Sequence, residues 1–187
     1  MNMRYIGVFL FVFFLCEGVV SGQRLAVSTN IMGYAALGTL NAGLSYSVSQ
    51  HWSVQAGLEY NPWTFRKNAP GKQFQSRKKG LSAGMRYWYW HSNSGWWTEG
   101  KLKYQEYNAG GLIRRRTEEG DRFGFVMAAG YTYMLHPRIN LEFGFGVCGG
   151  IKKYTVYSCP SCGVIEKKKK KAFFIPDDLI VTVSYVF

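Results

Sequence analysis

Eight stretches of this chain alternate apolar with small or polar residues, and that pattern leaves few folds open. The clearest are 40–48, 52–60, 81–89, 123–133, 139–147 and 179–187. In the last, Leu179, Val181, Val183, Tyr185 and Phe187 alternate with Ile180, Thr182, Ser184 and Val186. Residues 96–106 are a poorer example, and 25–31 supply an eighth candidate. Period 2 puts successive side chains on opposite faces of an extended strand. The one unbroken apolar run is residues 5–16, YIGVFLFVFFLC. A helical span needs about 20 apolar residues, so a polytopic helical membrane protein is excluded. With 17% aromatic residues the chain is no candidate for disorder, and 187 residues suit one domain.

Alternation alone also fits a soluble sandwich, so the face chemistry has to decide. The apolar face is rich in Trp, Tyr and Phe, whereas the other face holds mostly Gly and Ser with Glu59, Arg86, Glu99, Lys101 and Glu142. Small residues and a few paired charges suit the narrow interior of an eight-stranded barrel. Aromatics near strand ends (Trp52, Tyr60, Tyr87, Tyr89, Tyr131, Tyr133 and Phe187) suit interfacial girdles. Charged residues are only 18% of the chain, below the roughly 25% of soluble domains.

Connection lengths point the same way. Tight turns are expected at 49–51, 92–94 and 135–137. Long connections are expected at 61–79, 107–121 and 152–175, with a short first one at 33–37. Transmembrane barrels carry short periplasmic turns and longer external loops. The expected fold is therefore all-β, an eight-stranded antiparallel up-and-down transmembrane β-barrel.

Residues 1–22 read as a cleaved signal peptide, with a basic start, the apolar 5–16 run and Val20 and Gly22 before the cut. A lipoprotein signal ending at Cys16 is the rival, but Phe14 and Leu15 stand where small residues are needed. The barrel domain is then 23–187, and its expected location is the outer membrane. Phe187, Tyr185 and Val183 match the terminal face that barrel insertion machinery recognises; an ordinary sandwich-edge strand is the alternative reading.

The net charge of +12 is concentrated in two expected loops, 61–79 and 152–175, at +6 each. The second includes Lys167, Lys168, Lys169, Lys170 and Lys171. A secretion signal argues against nucleic acid as the partner. Outer-membrane lipid, including lipopolysaccharide phosphate, is the fitting anion, because Lys binds phosphate as a point charge. Plain solvation of these side chains is the competing account.

Cys159 and Cys162 form a CPSC motif. No βαβ pattern accompanies it and no second CxxC completes a zinc site, so a local disulfide is the expectation, with weak metal binding or an unpaired state as alternatives. Cys148 falls on the inward face. No HExxH, GxSxG or phosphate-loop motif is present, and His51, His91 and His136 lie at or beside the short turns. Neither an enzyme nor a cofactor or metal is expected.

The segments HWSVQAGLEYNPWTF (51–65), MRYWYW (85–90) and KKYTVYSCPSCG (152–163) occur in this order. Together they resemble a family of Bacteroidota outer-membrane barrels catalogued as a domain of unknown function. The resemblance spans essentially the whole mature chain. Genes of that family often lie beside those for fimbrial subunits and anchors, which implies a link to surface fimbriae. The family pattern carries an acid two residues before the Arg, where this chain has Gly84. Among the inward acids, Glu59 is expected as the main partner of Arg86, with Glu142 reaching across the lumen. Glu99 with Lys101 is expected as a lumen salt bridge. The functional expectation is a structural or accessory surface barrel serving fimbrial assembly or anchoring. The alternative is a binding module whose basic loops hold glycolipid, glycan or a host ligand.

Overall fold

The computed structural model describes residues 24–35, 37–65, 74–110, 117–158 and 165–187. The elements are β1 (Leu25–Asn30), a one-turn helix α1 (Ile31–Ala35), β2 (Leu40–Ser47), β3 (Trp52–Asn61) and a two-residue arm β4 (Thr64–Phe65). There follow β5 (Phe74–Trp88), β6 (Gly95–Gly110), β7 (Thr117–His136), β8 (Ile139–Tyr157) and β9 (Ile165–Val186). Neighbours in sequence pair antiparallel, β9 returns to β1, and β3 pairs with β5 across the β4 arm. The sheet therefore closes into an eight-stranded barrel. No helix among the described residues is long and apolar enough to cross a membrane.

Strand alternation sorts the side chains in the sense opposite to a soluble barrel. Leu44, Leu58, Leu81, Met85, Leu102, Phe125, Met127, Phe145 and Leu179 all face outward and are exposed. Ser53, Arg86, Glu99, Thr132, Asn140, Glu142, Thr182 and Ser184 face inward and are buried. Met127 is 62% exposed while Glu99 is 6% exposed. A chain folding in water alone would do the reverse, since apolar burial is the main drive and buried charge is costly.

The outer surface also changes character along the strands. Leu81, Tyr104, Phe123 and Ile151 are consecutive register partners across β5 to β8. Two residues further along, Lys79, Glu106, Asp121, Lys153 and Lys170 are register partners across β5 to β9. Apolar outward positions thus give way to charge within one outward step. At the short-turn end, outward aromatics meet edge to face: Trp52 with Tyr87 at 5.1 Å, Trp96 with Tyr131 at 5.2 Å, and Tyr185 with Phe187 at 4.8 Å. Val183 is half-exposed, Tyr185 and Phe187 are exposed, and Val186 between them is buried.

The strands are longer than the alternation suggested. Strands β5 to β9 run 15 to 22 residues. Most of the three connections expected to be long is therefore ladder: β6 continues to Gly110, β7 begins at Thr117, and β9 begins at Ile165. The lysines of 167–171 lie within β9, paired with Val156 to Lys152 of β8, not in a loop. The physical reason is that antiparallel hydrogen bonds need no apolar face. Hydropathy marks only the part of a strand that has one. The first connection holds α1, which alternation could not reveal.

Candidate functional site

The polar side of the strands builds a layered lumen, and its lowest layer is aromatic. Trp88 and Trp97 point inward and are buried with Ala128 and Ile180. The Trp97 indole fits because Gly130 and Gly144 stand below it: a Cβ on Gly130 would sit 2.5 Å from Trp97 Cζ2 and also strike the Phe143 carbonyl. Trp88 Nε1 donates to Ser53 Oγ at 2.9 Å.

Arg86 lies on this floor, its guanidinium 4.0 Å from the Trp97 ring centre and 5.2 Å from that of Trp88. Nε and Nη2 donate to Glu99 Oε2 at 3.0 and 2.8 Å, and Nη1 donates to Glu142 Oε2 at 2.8 Å. Glu99 Oε1 takes Lys101 Nζ at 3.1 Å, and Ser184 Oγ donates to Glu142 Oε1 at 3.3 Å. The Gln55 amide, oriented to satisfy both neighbours, donates to Glu99 at 2.7 Å and accepts from Arg86 Nε at 2.7 Å. Two cations meet two carboxylates, so the layer is neutral and its members are held by charge-assisted bonds. It ties β5 and β6 to β8 on the far wall.

A second cluster sits higher. Glu59 Oε1 takes Lys103 Nζ at 2.9 Å, Gln105 Nε2 donates to Glu59 Oε2 at 3.1 Å, and Lys78 Nζ stands 3.9 Å away. Between the clusters lies a cavity of about 330 Å³, lined by Ser28, Asn41, Gln55, Arg86 and Lys101 among others. Higher still, the Arg122 guanidinium covers the Tyr107 ring at 4.3 Å. Burial pushes the Tyr107 phenol up to about 12, against the opposing pull of Arg122.

The structure brings together four of the five expected lumen charges: Arg86, Glu99, Glu142 and Lys101. It corrects the expected Arg86–Glu59 pair. Register is the reason: the β3 residue opposite Arg86 is Ser53, whereas Glu59 stands opposite Gly80. Six residues of strand are about 20 Å, beyond side-chain reach. The acid directly opposite Arg86 is Glu99 of β6. Gly84 leaves room for Lys101, whose backbone and Cβ a Gly84 side chain would strike. Sequence reasoning missed Gln55, Lys103 and Gln105 as members, and missed the tryptophan floor. The signal for Lys103 was its place two residues from Lys101 on the same face.

Lys167 to Lys171 are all exposed on β9. Cys148 is buried on the inward face, as its position in the alternation requires. Cys159 and Cys162 lie outside the described residues. His51 Nδ1 stands 2.9 Å from the Trp88 carbonyl, which fastens the β2–β3 turn to the end of β5.

Comparison with characterised proteins and with solved structures returns no match in either case. The family described as "Protein of unknown function (DUF3575)" matches residues 8–187, nearly the whole sequence, so the chain belongs to that family.

Proposed function

We propose that this protein is a small non-enzymatic outer-membrane β-barrel with a structural or accessory role at the cell surface. The observation that carries the reading is the inverted polarity: an apolar outer band over a charged, hydrogen-bonded lumen. Water alone does not stabilise that arrangement, whereas a bilayer does. Strands of 15 to 22 residues exceed the roughly 9–11 that a bilayer requires, so β5 to β9 project beyond it. The signal peptide read from residues 1–22 supports export. The lumen carboxylates are engaged by Arg86, Lys101 and Lys103, which suits a filled barrel better than a reaction centre or an open pore.

The link to fimbrial assembly or anchoring rests on the sequence resemblance. A deletion strain is expected to show fewer or detached surface fimbriae, scored by electron microscopy and restored by the gene in trans. Normal fimbriation would remove that part of the proposal.

A second reading, a surface binding module, is favoured by the β8–β9 ribbon, which carries its lysines past the apolar band.

Insertion offers a further test. Phe187 and Tyr185 face outward, where an insertase can read them, while Val186 faces the lumen. Removing Phe187 is expected to lower the heat-modifiable, membrane-assembled fraction well below that of Val186→Ala. Equal assembled fractions would contradict the role of this face.

A further inference from the structure

The barrel seam is incomplete along one strand. β1 is only six residues long and pairs with β9 from Thr182 to Val186. The Asn30 side chain prolongs that ladder by one step, with Nδ2 donating to the Leu179 carbonyl and Oδ1 accepting from Val181 N, both at 3.3 Å. Beyond this, β9 continues back to Ile165. Among the described residues, 165–175 pair on one side only, with β8. This leaves a free strand edge of 11 residues at the end of the barrel opposite the short turns.

The edge is strongly basic: residues 165–175 hold Lys167 to Lys171 against the single acid Glu166. Lys167 to Lys171 are exposed, and their register partners are Val156, Thr155, Tyr154, Lys153 and Lys152, none of them acidic. Two of those pairs, Lys170 with Lys153 and Lys171 with Lys152, set ammonium against ammonium, which destabilises a ladder. The acids of the ribbon base lie on β7: Asp121 is opposite Lys153, and Glu118 reaches Lys152 at 3.5 Å. They serve β8, and the β9 lysines are exposed on both faces of their strand. An unpaired edge is a template for another strand, and lysines are a common guard against self-pairing. A second copy added edge to edge would bring lysine runs together and be repelled. The same five charges favour a strand of opposite sign.

We propose that the open edge of β9, residues 165–175, takes up an acidic, extended peptide segment of a partner protein as an added β-strand. Main-chain hydrogen bonds would supply the pairing, and carboxylates on one face of the incoming strand would meet Lys168 and Lys170, which share one face of β9. The inference deepens the surface-binding reading and rests on it for the biological setting. Its test uses the purified full chain in detergent and does not depend on where the barrel resides.

The probe is a fluorescent peptide of about nine residues alternating Glu and Val, a typical strand length. Two controls are the same peptide with N-methylated alternate amides and a Lys–Val peptide. Binding is read by anisotropy, and the contact by hydrogen exchange over residues 165–172. The expected result is salt-sensitive binding of the Glu–Val peptide, new amide protection along the edge, and no binding of either control. Lys168→Glu with Lys170→Glu is expected to weaken binding by about tenfold or more, because like charges then face each other. The milder Lys168→Gln with Lys170→Gln is expected to fall between, and heat-modifiable gel mobility verifies that each variant is folded. Equal binding of the N-methylated peptide would reduce the edge to simple ion pairing and overturn the proposal. So would failure of the Glu–Val peptide to bind, including a result in which vesicles of anionic glycolipid bind through these lysines while the peptide does not. Failure here with normal membrane assembly would leave the barrel reading standing.

Discussion

Arg86→Met is expected to destabilise the folded barrel by about 3–5 kcal/mol, read as a shift in the urea unfolding midpoint in lipid or detergent. The magnitude follows from what stays behind. The side chains of Glu99 and Glu142 are 2% and 7% exposed, and both aim their Oε2 atoms at the guanidinium. Removing the cation strands both carboxylates out of water, although Lys101 still meets Glu99. The cost of such a change is mainly uncompensated buried charge rather than the worth of one contact. Methionine keeps much of the packing over Trp97, so a large effect reads electrostatics. Arg86→Met combined with Glu99→Gln is expected to cost less than the sum of the single changes. Arg86→Met combined with Glu59→Gln is expected to be additive within about 0.5 kcal/mol, because Glu59 belongs to the Lys103 cluster. Additivity in the first cycle, or strong coupling in the second, would contradict the register of β3, β5 and β6.

The second large effect lies on the outer face. Met127 is 62% exposed and sits in the middle of β7, with Phe125 exposed on the same face. On a soluble protein, Met127→Arg would be a surface change worth about 0.5 kcal/mol or less. In a bilayer it is expected to cost about 2–4 kcal/mol, the penalty for Arg near the midplane of a barrel. Unfolding of the variant in liposomes of defined composition measures this. A neutral result in lipid would mean that the apolar band is not bilayer-facing.

The residues that could be read in advance are those whose side chain obeys a local rule. Alternation put Phe125 and Met127 outside and Glu99 and Arg86 inside, because period 2 is a property of the strand itself. Family membership was legible from three spaced segments. Pairing was less legible. Whether Arg86 meets Glu59 or Glu99 depends on the stagger between strands, and both acids lie on neighbours of β5. Nothing local to Arg86 distinguishes them. The tryptophan floor escaped for a related reason: Trp97 fits inside only because Gly130 and Gly144 open space on the facing strands. Alternation puts Trp88 on the face of Arg86, but that it is buried together with Trp97 as a floor is visible only in the structure. The lysine run looked like a loop because hydropathy says nothing about a ladder that continues beyond its apolar face. The open edge of β9 appears only once β1 is seen to end at Asn30.

The central claim is that the apolar face of the strands meets lipid and the charged face is the lumen. Single cysteines at Phe123, Phe125, Met127, Ala129 and Tyr131, in a background lacking the other cysteines, carry a nitroxide into liposomes without disturbing the lumen. Collision with oxygen and with a water-soluble nickel chelate is then measured at each site. High oxygen access is expected at all five, with nickel access falling to a minimum near Met127, because oxygen partitions into the bilayer and the chelate does not. High nickel access at Phe125 and Met127 would place that face in water and contradict the membrane barrel.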